Sequence, residues 1–175
     1  RPWLMVLEST PQAPELPGNP TYMTQDLQWM TTRPVTDVVR YRAESYPDFR
    51  HGPLEQVVAL QDYLELPGGF NPRTLALAQD LRRQHGAGPQ HANTLINAAL
   101  AQLRTGGYLY TVDPGVYGEH TADEFWFDRK EGFCEHIASA FVILMRAMDI
   151  PARIVTGYQG GELNTVDNFW TVRQR

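Results

Sequence analysis

Glu131-Gly132-Phe133-Cys134-Glu135-His136-Ile137-Ala138, an apolar run to Met148, and then Asp149-Ile150-Pro151-Ala152-Arg153-Ile154-Val155-Thr156-Gly157-Tyr158 form the stretch around which this chain is organised. Ile137, Phe141, Leu144, Met145 and Met148 fall at i, i+4, i+7, i+8 and i+11, the spacing of one buried helix face. Ala138 offers this helix a place to approach a neighbour closely. Cys134, the only cysteine in the sequence, therefore sits in the first turn. Unpaired backbone N–H groups and the positive end of the helix dipole favour an anion there, so a thiolate is stabilised. The same N–H groups can receive the negative oxygen that develops on a carbonyl when sulfur attacks it. Gly132, two residues earlier, lets the backbone turn into the helix and leaves space over the sulfur.

Gly132, Cys134, Ala138, Arg146, Ile150-Pro151-Ala152-Arg153, Val155 and Gly157-Tyr158 together resemble the transglutaminase-like family. Asp149 stands where that family carries the glycine that ends the helix, and Asp tolerates the left-handed conformation better than most residues. Tyr63-Leu64-Glu65-Leu66-Pro67, Tyr110-Thr111 and Asp123-Glu124-Phe125-Trp126-Phe127-Asp128 are similar to one branch, the bacterial membrane-tethered protein-glutamine gamma-glutamyltransferases. The resemblance runs from Tyr63 to the end of the chain and is specific from Asp123 onward. It implies an α+β fold: a papain-like transglutaminase core, with the cysteine helix packed on an antiparallel sheet, an N-terminal β-rich region and a C-terminal truncation. The expected division is residues 1 to 62 for the β-rich region and 63 to 175 for the core.

A chain of 175 residues is long enough for one well-buried core with a small subdomain attached. With 42% hydrophobic and 20% charged residues it reads as globular, and its net charge of -5 argues against nucleic acid or an anionic membrane surface as the main partner. A single cysteine excludes an internal disulfide, no Cys/His spacing suggests zinc, and no carboxylate loop has EF-hand spacing, so no cofactor is expected. The run from Ile137 to Ile150 is broken by Arg146 and Asp149 and does not approach the ~20 residues needed to cross a bilayer. Membrane association is thus expected only through segments outside the sequence, which begins at Arg1-Pro2 without an initiator methionine and reads as a piece of something larger.

In chain order, Trp3 to Leu7 suits a buried strand, Pro11 to Pro20 is linker-like, and Val35 to Glu44 alternates well enough for antiparallel strands. Leu54, Val57, Val58, Leu60 and Leu64 fit a short helix. Asn71-Pro72 starts the next one, with the asparagine side chain as cap, and Gly86 stops it. Ala92, Leu95, Ile96, Ala99, Leu100 and Leu103 mark a third helix; Tyr108 to Val112 reads as a strand with a turn at Asp113-Pro114-Gly115. Ala152 to Tyr158 reads as a strand paired with Phe169 to Val172.

A cysteine that attacks an amide needs a base, ordinarily histidine, held by Asp or Asn. His136 lies two residues from Cys134 on the same helix and points about 200° away. His51, His85 and His91 sit in polar or turn positions, and nothing marks His120 as the base. The resemblance implies a catalytic histidine and aspartate on strands after Val172-Arg173-Gln174-Arg175, where the chain stops, so Cys134 alone is assigned to the catalytic site. For the remaining residues the ordinary structural roles are expected: core packing for Trp126, half-buried packing for Tyr108 and Tyr110, carboxylate partners such as Asp128 or Glu162 for Arg146 and Arg153, and a solvated loop for Asp123, Glu124 and Asp128.

The resemblance implies acyl transfer through a thioester at Cys134. The donors would be protein glutamine side chains, and the acceptor an amine such as lysine. A cysteine peptidase or amidase on the same scaffold, or an inactive binding module, are the alternatives. It further implies a bacterial inner-membrane protein with this domain facing the periplasm or cell exterior, while oligomeric state is not legible.

Overall fold

In a computed structural model, residues 1–7, 9–52, 57–158 and 160–173 are described, and they fall into two units, Arg1–Glu55 and Gln56–Arg175. The first unit is built around Trp29, whose large apolar ring is buried and whose indole N–H donates to the Thr10 carbonyl (2.7 Å). Strand β1 (Thr21–Met23) pairs antiparallel with β2 (Trp29–Thr31), Tyr22 opposite Met30. The chain start runs beside β2: Leu4 N–H donates to the Trp29 carbonyl, Thr31 N–H to the Pro2 carbonyl, and Trp3 bridges Met30. The antiparallel strands expected in this region exist, but at 21–31. Val35 to Glu44 forms none, and the alternation there does not correspond to a buried face, since Val38 is almost fully exposed.

In the second unit the expected short helix is present as a 3-10 helix of six residues (Val58–Tyr63); Leu54, counted in that pattern, lies outside the described residues. Helices α1 (Pro72–His85) and α2 (Ala92–Thr105) follow, each stopped by glycine, with Gly86 at φ +93 and Gly106 closing on the Gln102 carbonyl. A short helix α3 (Thr121–Asp123) runs on into a π-helical turn (Glu124–Arg129), and α4 (Cys134–Ala147) carries the cysteine. The core gathers one face of each: Ala78 and Leu81, Leu95 and Ala99, Phe125 and Trp126, Leu144, Met145 and Met148. Ala140, rather than Ala138, is the close approach on α4: it is fully buried, and the Trp126 indole donates to its carbonyl (3.2 Å).

Asn71 caps a different helix from the one it precedes. It sits at φ +53 and makes no side-chain cap on α1; instead its Oδ1 accepts from the N–H groups of Ala122 (2.9 Å) and Asp123 (3.3 Å) on α3. The start of α1 is capped by Asp123 in return, whose carboxylate accepts from Arg73 N–H (3.0 Å), Thr74 N–H (2.7 Å) and Thr74 Oγ1 (2.6 Å). Two helix N-termini thus satisfy each other's unpaired donors across about fifty residues of sequence, and Asp123 is buried at 3% exposure rather than solvated in a loop.

The mixed α+β class holds, and among the described residues its sheets are three pairs of short strands. Strand β3 (Leu109–Tyr110) pairs parallel with β4 (Glu131–Gly132), directly before α4. Strand β5 (Glu162–Asn164) pairs antiparallel with β6 (Phe169–Thr171). The partner of β6 is therefore 162–164 and not Ala152 to Tyr158, which forms no strand. The Asn164 side chain accepts from Val166 and Asp167 N–H and closes this hairpin locally, so a distant strand is not needed to pair β6.

Candidate active site

Phe133, in extended conformation (φ -105, ψ -175), is the boundary between β4 and α4, and Cys134 is the first helical residue. The first amide of α4 to find a backbone acceptor is Ile137, which donates to the Phe133 carbonyl (3.2 Å). The N–H groups of Cys134, Glu135 and His136 precede it, as the expectation for a helix start requires. Cys134 is exposed, and among the described residues its thiol makes no hydrogen bond. Cys134 is therefore not a buried core residue.

Gly132 is needed for a different reason from the one its sequence position suggests. A Cβ there would stand 2.7 Å from His136 Cβ and 3.1 Å from its ring carbon, so the space beside Gly132 is filled by His136. That imidazole lies against Tyr117 (centroids 4.5 Å apart) and edge-on to Phe133 (4.4 Å), and its buried Nδ1 has no partner among the described residues. His136 is thus a packing group of the strand-to-helix turn, consistent with its pointing away from Cys134. Tyr117 in turn donates to the Glu131 carbonyl on β4. Arg129 lies over the Tyr117 ring and donates to the Pro114 (2.8 Å) and Val116 (2.6 Å) carbonyls, while Glu124 accepts from Gly118 N–H (2.7 Å) and Arg129 Nε (3.1 Å). The loop before α3 and the π-helical turn are in this way laced together beneath the strand-to-helix turn.

At the far end of α4 the backbone closes as the resemblance implied. Asp149 takes φ +62, its N–H donates to the Arg146 carbonyl, and Ile150 N–H donates to the Met145 carbonyl, the paired bonds of a Schellman ending. The Asp149 carboxylate meets Arg82 of α1 at 2.7 Å. Arg146 binds carbonyls and not a carboxylate: Nε donates to Ala152 (2.9 Å) and Nη1 to Glu65 (2.9 Å), while Ala152 N–H donates to the Tyr63 carbonyl (3.0 Å). Arg153 lies over the Tyr63 ring. The separated sequence signals at Tyr63 to Leu66 and Pro151 to Arg153 are thereby one structural unit joined through Arg146. Asp128 pairs with Arg73 on the surface.

The remaining histidines are elsewhere. His120 Nδ1 accepts from Asn71 N–H (3.1 Å), His91 packs where a Gly86 side chain would stand, and His51 is exposed. No described hydrogen bond or ring contact joins a histidine to Cys134. Tyr108 donates its hydroxyl to the Trp126 carbonyl (2.9 Å) and stacks on Phe125, so that phenol is committed to packing. Among the described residues no group of His, Cys, Asp and Glu side chains can hold a metal ion, and no helix is long and apolar enough to cross a membrane. Sequence reading gave Asn71 a cap on its own helix, Asp123 a solvated loop and Tyr117 no role; all three are joined to their partners by contacts that no local pattern announces.

A family profile described as transglutaminase-like superfamily matches residues 76–174. Over 175 residues the chain is 36% identical to a protein-glutamine gamma-glutamyltransferase of Pseudomonas aeruginosa, covering 99% of this chain and 25% of that protein. It is 30% identical over 109 residues, 61% of this chain, to the uncharacterized protein YebA of Bacillus subtilis, spanning 14% of it. Among solved structures, the periplasmic domain of TgpA from Pseudomonas aeruginosa superposes with a TM-score of 0.84 at 34% identity, covering 98% of this chain and 57% of that one. The same domain bound to ethylmercury gives 0.84 at 35%, with 98% and 59% covered. The chain thus spans about a quarter of the first curated relative and little over half of the solved domain.

Proposed function

Because the chain belongs to the transglutaminase-like superfamily, we propose that Cys134 is the nucleophile of a protein-glutamine gamma-glutamyltransferase and that this chain is part of its catalytic domain. The observation that carries the reading is an exposed thiol at the first position of α4, beside backbone N–H groups that have no helical acceptor. Sulfur attacks the side-chain amide carbon of a protein glutamine, the developing oxyanion is met by those N–H groups, and the C–N bond breaks to release ammonia. A primary amine such as a lysine side chain then attacks the thioester, forming the new amide and returning the thiolate. Transfer rather than hydrolysis requires that the amine reach the thioester ahead of water.

The proton carriers in this scheme are a histidine and an aspartate on strands after residue 175; none of His51, His85, His91, His120 or His136 is assigned that role. Substrates are proteins bearing accessible glutamine with an amine donor, and the domain works in the bacterial periplasm, held to the inner membrane by segments outside this chain. The similarity to a periplasmic domain supports that placement.

The test uses the longer protein that carries the residues after Arg175. A fluorescent primary amine is expected to enter a glutamine-rich protein, and Cys134→Ala to abolish it. Ammonia release without amine incorporation assigns an amidase instead, and peptide-bond cleavage a peptidase. Absence of all three, with iodoacetamide labelling of Cys134 no faster than that of a small reference thiol, assigns a binding module.

A further inference from the structure

The backbone carbonyls that lead the chain into Cys134 are held one after another. Leu109 N–H donates to the carbonyl of Lys130 (2.8 Å), Thr111 N–H to that of Gly132 (2.9 Å) and Ile137 N–H to that of Phe133 (3.2 Å). The carbonyl of Glu131, between the two that β3 takes, turns to the opposite side of β4, and there the Tyr117 hydroxyl donates to it. Among the described residues this is the one place in the series where a side chain supplies the donor.

Tyr117 also reaches to the far side of the cysteine. Its ring lies against His136 (centroids 4.5 Å apart) in the first turn of α4. The buried Nδ1 of that imidazole has no partner among the described residues, so ring contacts with Tyr117 and Phe133 hold it. Tyr117 is fixed in turn from the loop. Arg129 lies over its ring (4.8 Å to the centroid) and donates to the Pro114 and Val116 carbonyls, while Glu124 joins Arg129 Nε to Gly118 N–H. The residues flanking Tyr117 are thereby tied to the π-helical turn.

We infer that Tyr117 is a positioning residue for the nucleophile: it braces residue 131 on one side of Cys134 and residue 136 on the other, and so fixes the sulfur relative to the first N–H groups of α4. This rests on the acyl-transfer reading of Cys134 and adds to it the side chain that keeps the geometry. Those N–H groups favour the thiolate and meet the oxyanion only when aimed, and misplacing a reacting atom by about 1 Å costs on the order of a hundredfold in rate. Tyr117 acts through Glu131 and His136, since no described hydrogen bond or ring contact joins it to the sulfur.

The experiment compares the full protein with two single variants. Tyr117→Phe keeps the ring against His136 and under Arg129 and removes only the hydroxyl. Tyr108→Phe is the control: it breaks a phenol-to-carbonyl bond of the same kind, to Trp126, that touches neither Glu131 nor His136. At a temperature where both are folded, Tyr117→Phe is expected to lower kcat/KM by about tenfold. The factor is the same for a glutamine-rich protein and for a minimal glutamine amide, because the loss lies in the chemistry and not in docking. Iodoacetamide labelling of Cys134 is expected to slow by about threefold, the scale of what a helix start gives an anion. Tyr108→Phe keeps the parent rates in spite of a similar loss of stability. Parent-like labelling and turnover in Tyr117→Phe make the tyrosine a packing group and overturn the proposal. It is equally overturned if Tyr108→Phe slows both readouts as much, which assigns the effect to general loosening. Labelling needs no turnover: a parent protein that transfers no amine overturns the acyl-transfer reading alone, and the order of labelling rates still decides the role of Tyr117.

Discussion

Gly132 shows how one residue ties sequence to site. Its backbone is not at positive φ, so the requirement is space: a methyl group would press into His136, which Tyr117 and Phe133 hold on two sides. Gly132→Ala is therefore expected to lower stability by about 1–3 kcal/mol, the range for overpacking a fixed site, and to slow iodoacetamide labelling of Cys134 by shifting the turn. Denaturant titration and labelling rates check both. His136→Gly removes the Cβ at 2.7 Å together with the ring, so the double variant is expected to lose less than the sum of the two single changes, a coupling that a purely local effect of Gly132 would not produce. The importance of Gly132 and Cys134 was legible because their spacing meets the start of a strongly periodic helix. The reason for Gly132 was not, because it lies in the side chain of His136, a residue that the helix geometry had only excluded from catalysis.

At the scale of elements, the helices of the second unit were readable from apolar spacing and from their glycine stops, and β3 and β6 lie inside the expected runs Tyr108 to Val112 and Phe169 to Val172, while the partner of β6, the strands of the first unit and the caps were not readable. Strands of two or three residues carry too few positions to show alternation, and each is fixed by its partner. The capping pair Asn71 and Asp123 is invisible locally for the same reason, since each serves the helix that the other belongs to. Asp123→Ala removes the acceptor for two backbone N–H groups and the Thr74 hydroxyl in a buried place, and is expected to lower stability by about 2–4 kcal/mol. Asp123→Asn, which keeps one acceptor oxygen, should lose less. Asp128→Ala, which breaks an ion pair with both side chains 51% exposed, is expected to change stability by less than about 1 kcal/mol. Chemical denaturation of the three variants side by side checks the order. Asp149 gives a further contrast at the end of α4. Asp149→Gly relieves φ +62 but loses the exposed Arg82 contact, so a change under about 0.5 kcal/mol is expected, whereas Asp149→Val, β-branched at positive φ, should cost more than about 1 kcal/mol in the same measurement.

For the whole molecule, four of the described tyrosines have phenols raised above the ordinary value, Tyr46 through its hydrogen bond to the Glu44 carboxylate and the other three through burial, and the three buried ones are expected to shape the alkaline decline of stability. Burial raises Tyr41 in the first unit, where its hydroxyl donates to the Met5 carbonyl. Burial likewise raises Tyr108 against the Gln102 contact, and Tyr117 against the charge of Arg129, with Glu124 and Glu131 adding to the rise. Each phenol is held neutral in the fold beyond the unfolded value of 10.0. The stability this gives is fully present below pH 10; above it the unfolded chain ionises first, and stability falls until the folded phenols ionise too. In the second unit ionisation also destroys two donors, from Tyr108 to the Trp126 carbonyl and from Tyr117 to the Glu131 carbonyl. Tyr108→Phe with Tyr117→Phe is therefore expected to lower stability at pH 7 by about 1 kcal/mol for each lost hydrogen bond, yet to flatten the decline of that unit above pH 10. Denaturation midpoints from pH 7 to pH 11, read with phenolate absorbance, check it. A decline as steep as the parent's would mean that these buried phenols do not control the alkaline transition. Tyr41→Phe is expected to flatten the first unit only, because its phenol and the Met5 carbonyl both belong to that unit.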